Sequence, residues 1–194
     1  MIGLPTSLEV NGTEYEIRTD FRDILTILTA FNDHFSDDHD TDVMCKANVC
    51  LQILYKDSDS IPQADIEEAY KQACWFIDCG NKYTEEREEQ LSLMNWDQDE
   101  QIVFPAINRV AGKETRLSEY IHWWSFMGMY MEIGECLFSQ VIQIRKKLSE
   151  HKKLDKYEEE FYKKNKSMVE LECWKTPEDR KAEAELNDVL NDII

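Results

Sequence analysis

The residues best suited to metal chemistry lie in an acidic stretch near the N-terminus. Two histidines and four aspartates occur within nine positions: His34, Asp37, Asp38, His39, Asp40 and Asp42. Imidazole nitrogens and carboxylate oxygens are common metal ligands, so the stretch raises the hypothesis of a metal-dependent enzyme. Its spacing does not match an EF-hand loop, which needs a central glycine and a glutamate at position twelve. A solvated acidic loop is the favoured interpretation, because charge runs usually lie in solvent.

A second group of carboxylates consists of Glu132 and Glu135, which follow His122 by ten and thirteen positions. A di-metal site in a helical bundle needs a Glu-x-x-His motif from each of two helices, and two further glutamates. The sequence supplies only the glutamate pair, so we interpret both residues as solvated or capping. We therefore predict no metal site and no cofactor.

The cysteines are the remaining candidates for metal binding or nucleophilic catalysis. They are Cys45, Cys50, Cys74, Cys79, Cys136 and Cys173, and no C-x-x-C pair is present. A five-residue step places two thiols off a common helix face, so we interpret them as small buried hydrophobic side chains. Cys–His catalysis stays open, since such partners meet in space. No phosphate loop, dinucleotide fingerprint, nucleophile elbow or H-E-x-x-H motif is present, and we predict a protein that is not an enzyme.

The densest apolar feature is the stretch HWWSFMGMYM at residues 122–131. It is apolar around the whole helix, which is typical of a core helix packed on several sides. It would also suit a partner helix, because methionine side chains adapt to irregular apolar surfaces. Our candidate partner contacts are Trp123, Trp124, Met127, Tyr130 and Met131.

Composition and charge limit the classes of function. The 194 residues, 42% of them hydrophobic, are enough for one domain with its own core. There are 40 acids and 22 bases, and residues 1–97 alone carry a net charge of −14 out of −18. Such acidity disfavours binding to nucleic acid or to anionic membranes. No stretch resembles a signal peptide or a membrane span of ~20 apolar residues, so we expect a cytosolic protein with reduced thiols.

The first element that must position these residues is an N-terminal β-hairpin. Alternating residues at 7–10 and 13–17 flank Asn11-Gly12, the dipeptide that a two-residue type I′ turn favours. This register places Leu8 opposite Tyr15, with their side chains on one apolar face. A lone hairpin is only marginally stable, so this face should pack on helices or extend another chain's sheet.

Apolar residues at helical spacing predict helices for the rest of the chain. The expected starts are Asp20 as an N-cap, the region of Val43, Pro62 at the first helical position, and Asp97 or Asp99 as a cap. Gly80 and Gly112 should follow the ends of two of these helices. Residues 81–95 are polar and should form a loop, and Pro105 should kink or restart its helix.

The longest predicted helix runs from residue 118 to about 148. It would contain Gly128 and Gly134, each costing ~1 kcal/mol relative to alanine unless close helix packing offsets the cost. Arg145 would favour the helix dipole from the last turn, and residues 145–166 should continue helically. Together the patterns predict a mainly α fold: a helical bundle-like domain with an N-terminal hairpin over residues 1–170, and a peripheral C-terminal helix or tail over 171–194.

Several motifs, in order along the chain, are shared with one known family. They are MIGLP at 1–5, DFRDIL at 20–25, WFIDCG at 75–80, WDQDE at 96–100, FPAIN at 104–108, HWWSFMG at 122–128 and EEFYKKNK at 159–166. Through these motifs the chain resembles the phage "gene product fifteen" family over roughly residues 1–170. It departs from the family at residues 33–41, which are unusually rich in Asp and His, and after Cys173.

The resemblance implies a protein of long-tailed phages and prophages of Gram-positive bacteria, encoded near the tape-measure gene. That gene position implies a tail assembly chaperone or related morphogenesis factor in the host bacterial cytoplasm. We hypothesise that it coats the long hydrophobic helix of the tape-measure protein until tube subunits polymerise around it. The expected partners are the tape-measure protein or other tail proteins, and a homo-oligomer stays open. No catalytic residues carry over from the family.

An acidic inhibitor of a host factor is the alternative function. A DNA mimic would present the acids of residues 33–42 and 85–100 to a basic site. Nine bases among residues 145–166 would interrupt such an array. Salt-sensitive binding to a host nucleic-acid enzyme would favour this alternative over a chaperone.

Overall fold

The computed structural model describes residues 3–33, 35–80 and 93–172. The hairpin consists of β1 (Ser7–Val10) and β2 (Thr13–Glu16). The helices are α1 (Phe21–Asn32), α2 (His39–Leu54), α3 (Ile66–Ile77), α4 (Glu100–Ala111), α5 (Trp123–Met131), α6 (Leu137–Ser149), α7 (Lys156–Lys164) and α8 (Lys166–Val169). The predicted mainly α fold with an N-terminal hairpin is confirmed. The predicted C-terminal helix, and most of the loop predicted at 81–95, lie outside the described residues.

The hairpin has the register that the sequence predicts, with Leu8 opposite Tyr15. Asn11 and Gly12 have φ angles of 46° and 85°, so both turn residues adopt the positive φ of a type I′ turn. Leu8 and Val10 are buried, and β1 packs against α3. The apolar face of the hairpin therefore packs on helices of the same chain, which is the first of the two arrangements predicted for it.

Backbone pairing continues beyond the hairpin and connects it to two helices. The Arg18 N–H donates to the Leu54 carbonyl at the end of α2 (2.7 Å). The Trp123 N–H, at the start of α5, donates to the Thr19 carbonyl (2.7 Å). These bonds fix the positions of the end of α2 and the start of α5 relative to the hairpin.

The end of α3 differs from the prediction by one residue. Cys79, with φ of 57°, is the first left-handed residue, and Gly80, with φ of 83°, follows it. The Cys79 N–H donates to the Phe76 carbonyl (3.1 Å), and the Gly80 N–H donates to the Trp75 carbonyl (2.9 Å). This pair of bonds is a Schellman motif, which satisfies carbonyls that the helix end would otherwise leave without donors.

Gly80→Ala should destabilise the protein for two reasons. Alanine is strained at this φ, and its Cβ would lie 3.0 Å from a ring carbon of Trp124. We expect the free energy of unfolding to fall by about 1–3 kcal/mol, measured by chemical denaturation. Gly128→Ala, inside α5, is the matched control: its Cβ would meet nothing within 4 Å, so it should stabilise by up to about 1 kcal/mol. Equal unfolding midpoints for Gly80→Ala and the wild type would contradict the expectation.

The single helix predicted over residues 118–148 is wrong, because the chain forms two helices there. The first, α5, begins at Trp123, since the His122 ring accepts the Trp124 N–H (3.0 Å). Residues 132–136 separate it from α6, and Gly134 lies in this break. Gly128 stays inside α5 but faces open space, so no helix of the described residues packs closely against it.

The helix predicted to continue through residues 145–166 is also interrupted. The first part, α6, ends at Ser149, and His151 in the following connection has a φ of 53°. The second part, α7, begins after Asp155, whose carboxylate accepts the N–H groups of Tyr157 (2.8 Å) and Glu158 (2.9 Å). The capping box at Asp155 therefore starts a new helix.

Neither of the two prolines for which a helix start was considered begins an α-helix. Pro105 neither ends nor restarts α4, which is continuous from Glu100 to Ala111. Its missing N–H leaves the carbonyl of Gln101 without a helical partner, but Gln101 is exposed and water can reach it. Pro62 does not open α3; a short 3₁₀ turn (Gln63–Asp65) intervenes, and α3 begins at Ile66.

The core has two parts, which α6 connects. The larger cluster contains buried residues from the hairpin, from α1 to α5, and from the first turn of α6. The smaller cluster contains Ile144, Leu154 and Val169, with Leu148, Phe161 and Tyr162 packed against it. The helices α7 and α8 thus pack on α6 rather than on the larger core.

Arg145 joins the two parts of the core through a buried ion pair, which its predicted place in the last turn of a helix did not indicate. Its side chain is 0% exposed and pairs with Asp99 through two bonds, of 2.6 and 2.8 Å. The guanidinium also donates to the carbonyls of Leu93 (3.0 Å), Met168 (2.7 Å) and Val169 (2.8 Å). All five of its N–H donors are therefore used. The Asp99 carboxylate, engaged in this way, makes no capping bond to α4.

Candidate functional site

The first residue of the candidate site, His122, fixes the start of α5. Its Nδ1 accepts the Trp124 N–H (3.0 Å), so a neutral ring carries its proton on Nε2, which donates to the Pro5 carbonyl (2.9 Å). Both ring nitrogens are engaged within the protein. His122 is therefore not available to form a metal site with Glu132 and Glu135.

Two neighbouring tryptophans attach α5 to the end of α3. The Trp123 indole N–H donates to the Ile77 carbonyl (2.8 Å), and the Trp124 indole N–H donates to the Phe76 carbonyl (2.9 Å). The Trp123 indole supplies a donor to the Ile77 carbonyl, and the Trp124 indole gives the Phe76 carbonyl a second donor beside the Cys79 N–H. The pair Trp123-Trp124 therefore has a structural role that the sequence pattern did not reveal.

Phe126 lies at the centre of an aromatic cluster beneath α5. Its ring stacks on Phe21 of α1, with centroids 4.4 Å apart and an angle of 9° between the planes. The rings of Trp123, Phe104 and Trp96 lie about the same ring at centroid distances of 5.9, 5.9 and 6.0 Å. This cluster packs the inner face of α5 against α1 and α4.

Three apolar residues of α5 form a stripe that runs from the packed start of the helix to its exposed end. Trp124, Met127 and Met131 are spaced i, i+3 and i+7, so they occupy one face of the helix, which we call the outer stripe. Trp124 and Met127 are half-buried, whereas Met131 is 64% exposed. The outer stripe thus becomes more accessible toward the C-terminal end of α5.

Tyr130 lies on the inner side of α5, although it was predicted as a partner contact. Its hydroxyl donates to Met94 Sδ (3.4 Å), and its ring packs against Trp96 (5.5 Å) and Phe138 (5.9 Å). Burial, and then the nearby charge of Asp99, raise the pKa of the Tyr130 hydroxyl. The phenol therefore stays protonated near neutral pH.

The five predicted contact residues fall into two groups. Trp123, 1% exposed, belongs to the packed interior, and Tyr130 is half-buried with its ring turned to Trp96 and Phe138. Trp124, Met127 and Met131 form the outer stripe, in which Met131 is exposed and the other two are half-buried against the larger core. The all-round apolar sequence of α5 could not separate these groups, because its residues face both the core and the surface.

The acids of residues 33–42 are used partly within the protein. Asp38 caps α2 by accepting the Thr41 N–H (2.9 Å), and Asp42 pairs with Lys46 (2.8 Å). Within the described ranges, which omit His34, no group of three histidine, cysteine or acidic side chains could hold a metal ion. The metal hypothesis rested partly on His34, which lies outside the described residues.

Burial makes three of the cysteines poor nucleophiles. It raises the pKa of the Cys50 thiol to about 12 and of the Cys79 thiol to about 11, and it also raises that of Cys74. These thiols are therefore protonated near neutral pH, and the thiolate is the form that attacks or binds metal. This state agrees with their interpretation as small hydrophobic side chains.

Comparison with known proteins identifies the family. The family model described as Bacteriophage Gp15 protein matches residues 2–171, which is most of the chain. The chain belongs to the Bacteriophage Gp15 protein family. As a Gp15 family member it is a phage structural or morphogenesis protein. Neither the curated proteins nor the solved structures gave a significant match.

The match to the Gp15 family includes every described helix and the hairpin. The outer stripe therefore lies within the part of the chain that defines the family. In the described part of this Gp15 protein, no helix is both long enough and apolar enough to span a membrane.

Proposed function

We propose that this Gp15 family protein is a tail assembly chaperone that binds the tape-measure protein in the host bacterial cytoplasm. Its action is non-enzymatic: it covers the apolar helix of the tape-measure protein until tube subunits polymerise around that helix. The single observation that carries the proposal is the outer stripe, an apolar face of α5 that leads to an exposed methionine.

The geometry of the outer stripe is suited to a partner helix. Spacing of i, i+3 and i+7 matches the side-chain rows of an opposing helix, as in helix-in-groove recognition. Met127 and Met131 have flexible, polarisable side chains, which pack against apolar surfaces of varied shape. A chaperone that covers a long helix must accept different side chains along its length, and methionines allow this.

A second feature of α5 supports close approach of a partner. Gly128 follows Met127 and faces open space, although a glycine inside a helix costs about 1 kcal/mol relative to alanine. Ser125, also exposed, lies one turn earlier. Small residues beside the outer stripe let a second helix backbone approach α5 closely.

The charge of the protein is also suited to a chaperone. The formal net charge of −18 keeps a complex with an apolar partner soluble through mutual repulsion. On α5 itself, residues 123–131 carry no charge, so a partner helix can dock there without burying an unpaired ion.

Met131→Asp should abolish most of the chaperone activity. A carboxylate at the accessible end of the outer stripe would have to lose its water in the complex, so affinity should fall about tenfold or more. The measurement is co-expression with the tape-measure protein, scored by its soluble fraction and by co-purification. Leu117→Asp is the matched control, because Leu117 is 83% exposed outside α5.

Two outcomes would contradict the proposal. The chaperone function is ruled out if the tape-measure protein is equally soluble without the wild-type protein. The assignment of tape-measure binding to the outer stripe is ruled out if Met131→Asp co-purifies with that protein as well as Leu117→Asp does. Circular dichroism must first show that Met131→Asp is folded. Loss of binding with Met131→Asp, but not with Leu117→Asp, would support both the chaperone function and the assignment of binding to the outer stripe.

A further inference from the structure

A groove of about 310 Å³ lies between α1 and the start of α4, and we call it the aromatic groove. Its apolar lining residues are Phe21, Leu25, Trp96 and Phe104. The rings of Phe21 and Phe104 are buried at its base, whereas Leu25 and Trp96 are half-buried. The volume is at the lower limit of clefts that take small ligands, about 300 Å³, so it suits one large side chain rather than a whole helix.

Two arginines of the groove lie flat over its buried rings. The guanidinium carbon of Arg22 is 4.8 Å from the centroid of Phe21, and that of Arg116 is 5.0 Å from the centroid of Phe104. Their N–H groups are engaged by neighbouring carboxylates, yet the two side chains are 41% and 39% exposed. Each guanidinium therefore offers a partner its outer face, and an aromatic ring is the side chain that stacks on such a face.

The groove also has a hydrogen-bond acceptor and an excess of negative charge. The exposed Asp97 carboxylate accepts the Thr29 hydroxyl (3.3 Å) and has lone pairs for a further donor. The charged groups that line the groove or pair with its arginines comprise four acids and two bases: Asp20, Asp97, Glu100, Glu114, Arg22 and Arg116. A partner suited to the aromatic groove thus combines an aromatic ring, an N–H donor and positive charge.

The described part of the chain ends close to this groove. The Glu172 N–H donates to Gln98 Oε1 (3.1 Å), and the Gln98 side-chain amide donates to the Glu170 carbonyl (2.7 Å). Gln98 directly follows Asp97 in the chain, so Glu172 is held beside the residue that supplies the acceptor. The next residues in the sequence are Cys-Trp-Lys at 173–175. The tryptophan is two residues past Glu172, which is at most about 7 Å of extended chain.

We propose that the segment after Glu172 folds back on its own chain and that the Trp174 indole docks in the aromatic groove. The ring stacks on a guanidinium face, and its N–H donates to Asp97. Tryptophan is the side chain that stacks best on a cation, and it combines an apolar ring with one donor. Lys175 brings positive charge to the acidic surroundings of the groove.

The same chain is a better source of this tryptophan than a second copy. A short connection gives a tethered group an effective concentration in the mM range, which a free partner does not reach at ordinary protein concentrations. The docked ring would extend the aromatic cluster beneath α5, because Trp96 lies 6.0 Å from Phe126. No residue of the outer stripe lines the groove, so docking leaves the proposed tape-measure surface available.

The indole N–H signals in proton–nitrogen NMR spectra of the full chain test the proposal. The chain has five tryptophans, and Trp174→Phe identifies the signal of Trp174 by its loss. In the wild type this N–H should exchange with solvent about tenfold more slowly than a free indole, or slower still, because it is hydrogen-bonded in the groove.

Asp97→Lys should release Trp174, since it removes the acceptor and places a positive charge near Lys175. Exchange of the Trp174 indole N–H should then rise about tenfold, to the rate of a free indole. Asp59→Lys is the matched control, because Asp59 is exposed in a 3₁₀ turn (Ser58–Ser60) and the change of charge is the same. Circular dichroism checks that both variants are folded.

Three outcomes would overturn the inference. The first is a wild-type Trp174 signal that exchanges as fast as a free indole, which would leave the groove open to another partner. The second is an exchange rate that Asp97→Lys does not change. The third is slow exchange that is lost on dilution, which would assign the groove to Trp174 of a second copy.

This inference and the proposed function fail separately. Trp174→Phe and Asp97→Lys should co-purify with the tape-measure protein as the wild type does. Met131→Asp should keep the slowly exchanging Trp174 signal, because Met131 does not line the groove.

Discussion

Arg145→Met should lower the free energy of unfolding by about 3–5 kcal/mol, the range found when one partner of a buried ion pair is removed. The substitution would leave the Asp99 carboxylate buried and without its guanidinium partner. It would also leave the carbonyls of Leu93, Met168 and Val169 without their donor. Chemical denaturation, followed by circular dichroism, measures the loss.

Arg145→Lys should be nearly as damaging, because one ammonium group cannot reach five acceptors that surround a planar guanidinium. Arg116→Met is the matched control: Arg116 pairs with Glu100 and Glu114 on the surface, where ion pairs contribute little to stability. If Arg145→Met unfolded at the same denaturant concentration as Arg116→Met, the buried pair would not join the two parts of the core.

Phe126→Ala should lower the free energy of unfolding by about 3–5 kcal/mol, the cost usual for deleting a buried phenylalanine ring. The ring is fully buried and stacks on Phe21, so its removal leaves a cavity that the rigid rings around it cannot fill by collapse. Phe126→Leu, which keeps part of the volume, should cost less. The near-ultraviolet circular dichroism signal should weaken as well, because Trp123 and Trp96 lose a ring neighbour.

Tyr157→Ala is the control for this loss, since Tyr157 is an exposed aromatic residue and its removal creates no cavity. Its stability should stay within about 0.5 kcal/mol of the wild type. Equal stabilities for Phe126→Ala and Tyr157→Ala would show that the aromatic cluster is not the centre of the larger core.

Sequence reasoning predicted the parts of the fold that local signals determine. The Asn11-Gly12 turn sets the hairpin register through two positive φ angles, and no distant contact is needed. The Asp20 cap similarly starts α1, with its carboxylate accepting the Arg22 N–H (3.0 Å). The prediction of one helix over residues 118–148 failed because the apolar pattern there continues past the ends of the two helices. Their breaks depend on His122 as a cap, on pairing with residues 19–21, and on Ser139, whose hydroxyl accepts the Cys136 N–H (2.8 Å) at the start of α6.

Arg145 shows why burial was harder to predict than helix position. A base in the last turn of a helix normally complements its dipole in solvent, and the sequence pattern favoured this. Its partners Asp99 and Val169 lie 46 and 24 residues away, so no local pattern reveals them. A buried arginine is recognisable only when the acceptors from three separate segments meet around it.

The partner contacts stay a prediction. Sequence reasoning placed them on α5, because residues 122–131 are the densest apolar stretch. It could not distinguish Trp123 from Trp124, since both are tryptophans on a helix without a polar face. The two differ in their ring contacts: the Trp123 ring stacks beside Phe126 in the core, whereas the Trp124 ring packs against Trp75 and Phe76 and stays half-buried.

The shared hydrogen bonds of Trp123 and Trp124 also set how α5 can move. The last turn of α3 and the first turn of α5 cannot fray independently, because opening either one removes the donors or acceptors of the other. These two helix ends therefore form one cooperative unit in local unfolding. Met131 lies at the opposite end of α5, away from these two hydrogen bonds. We therefore expect α5 to open from Met131 toward the tryptophan pair, whose hydrogen bonds hold its first turn.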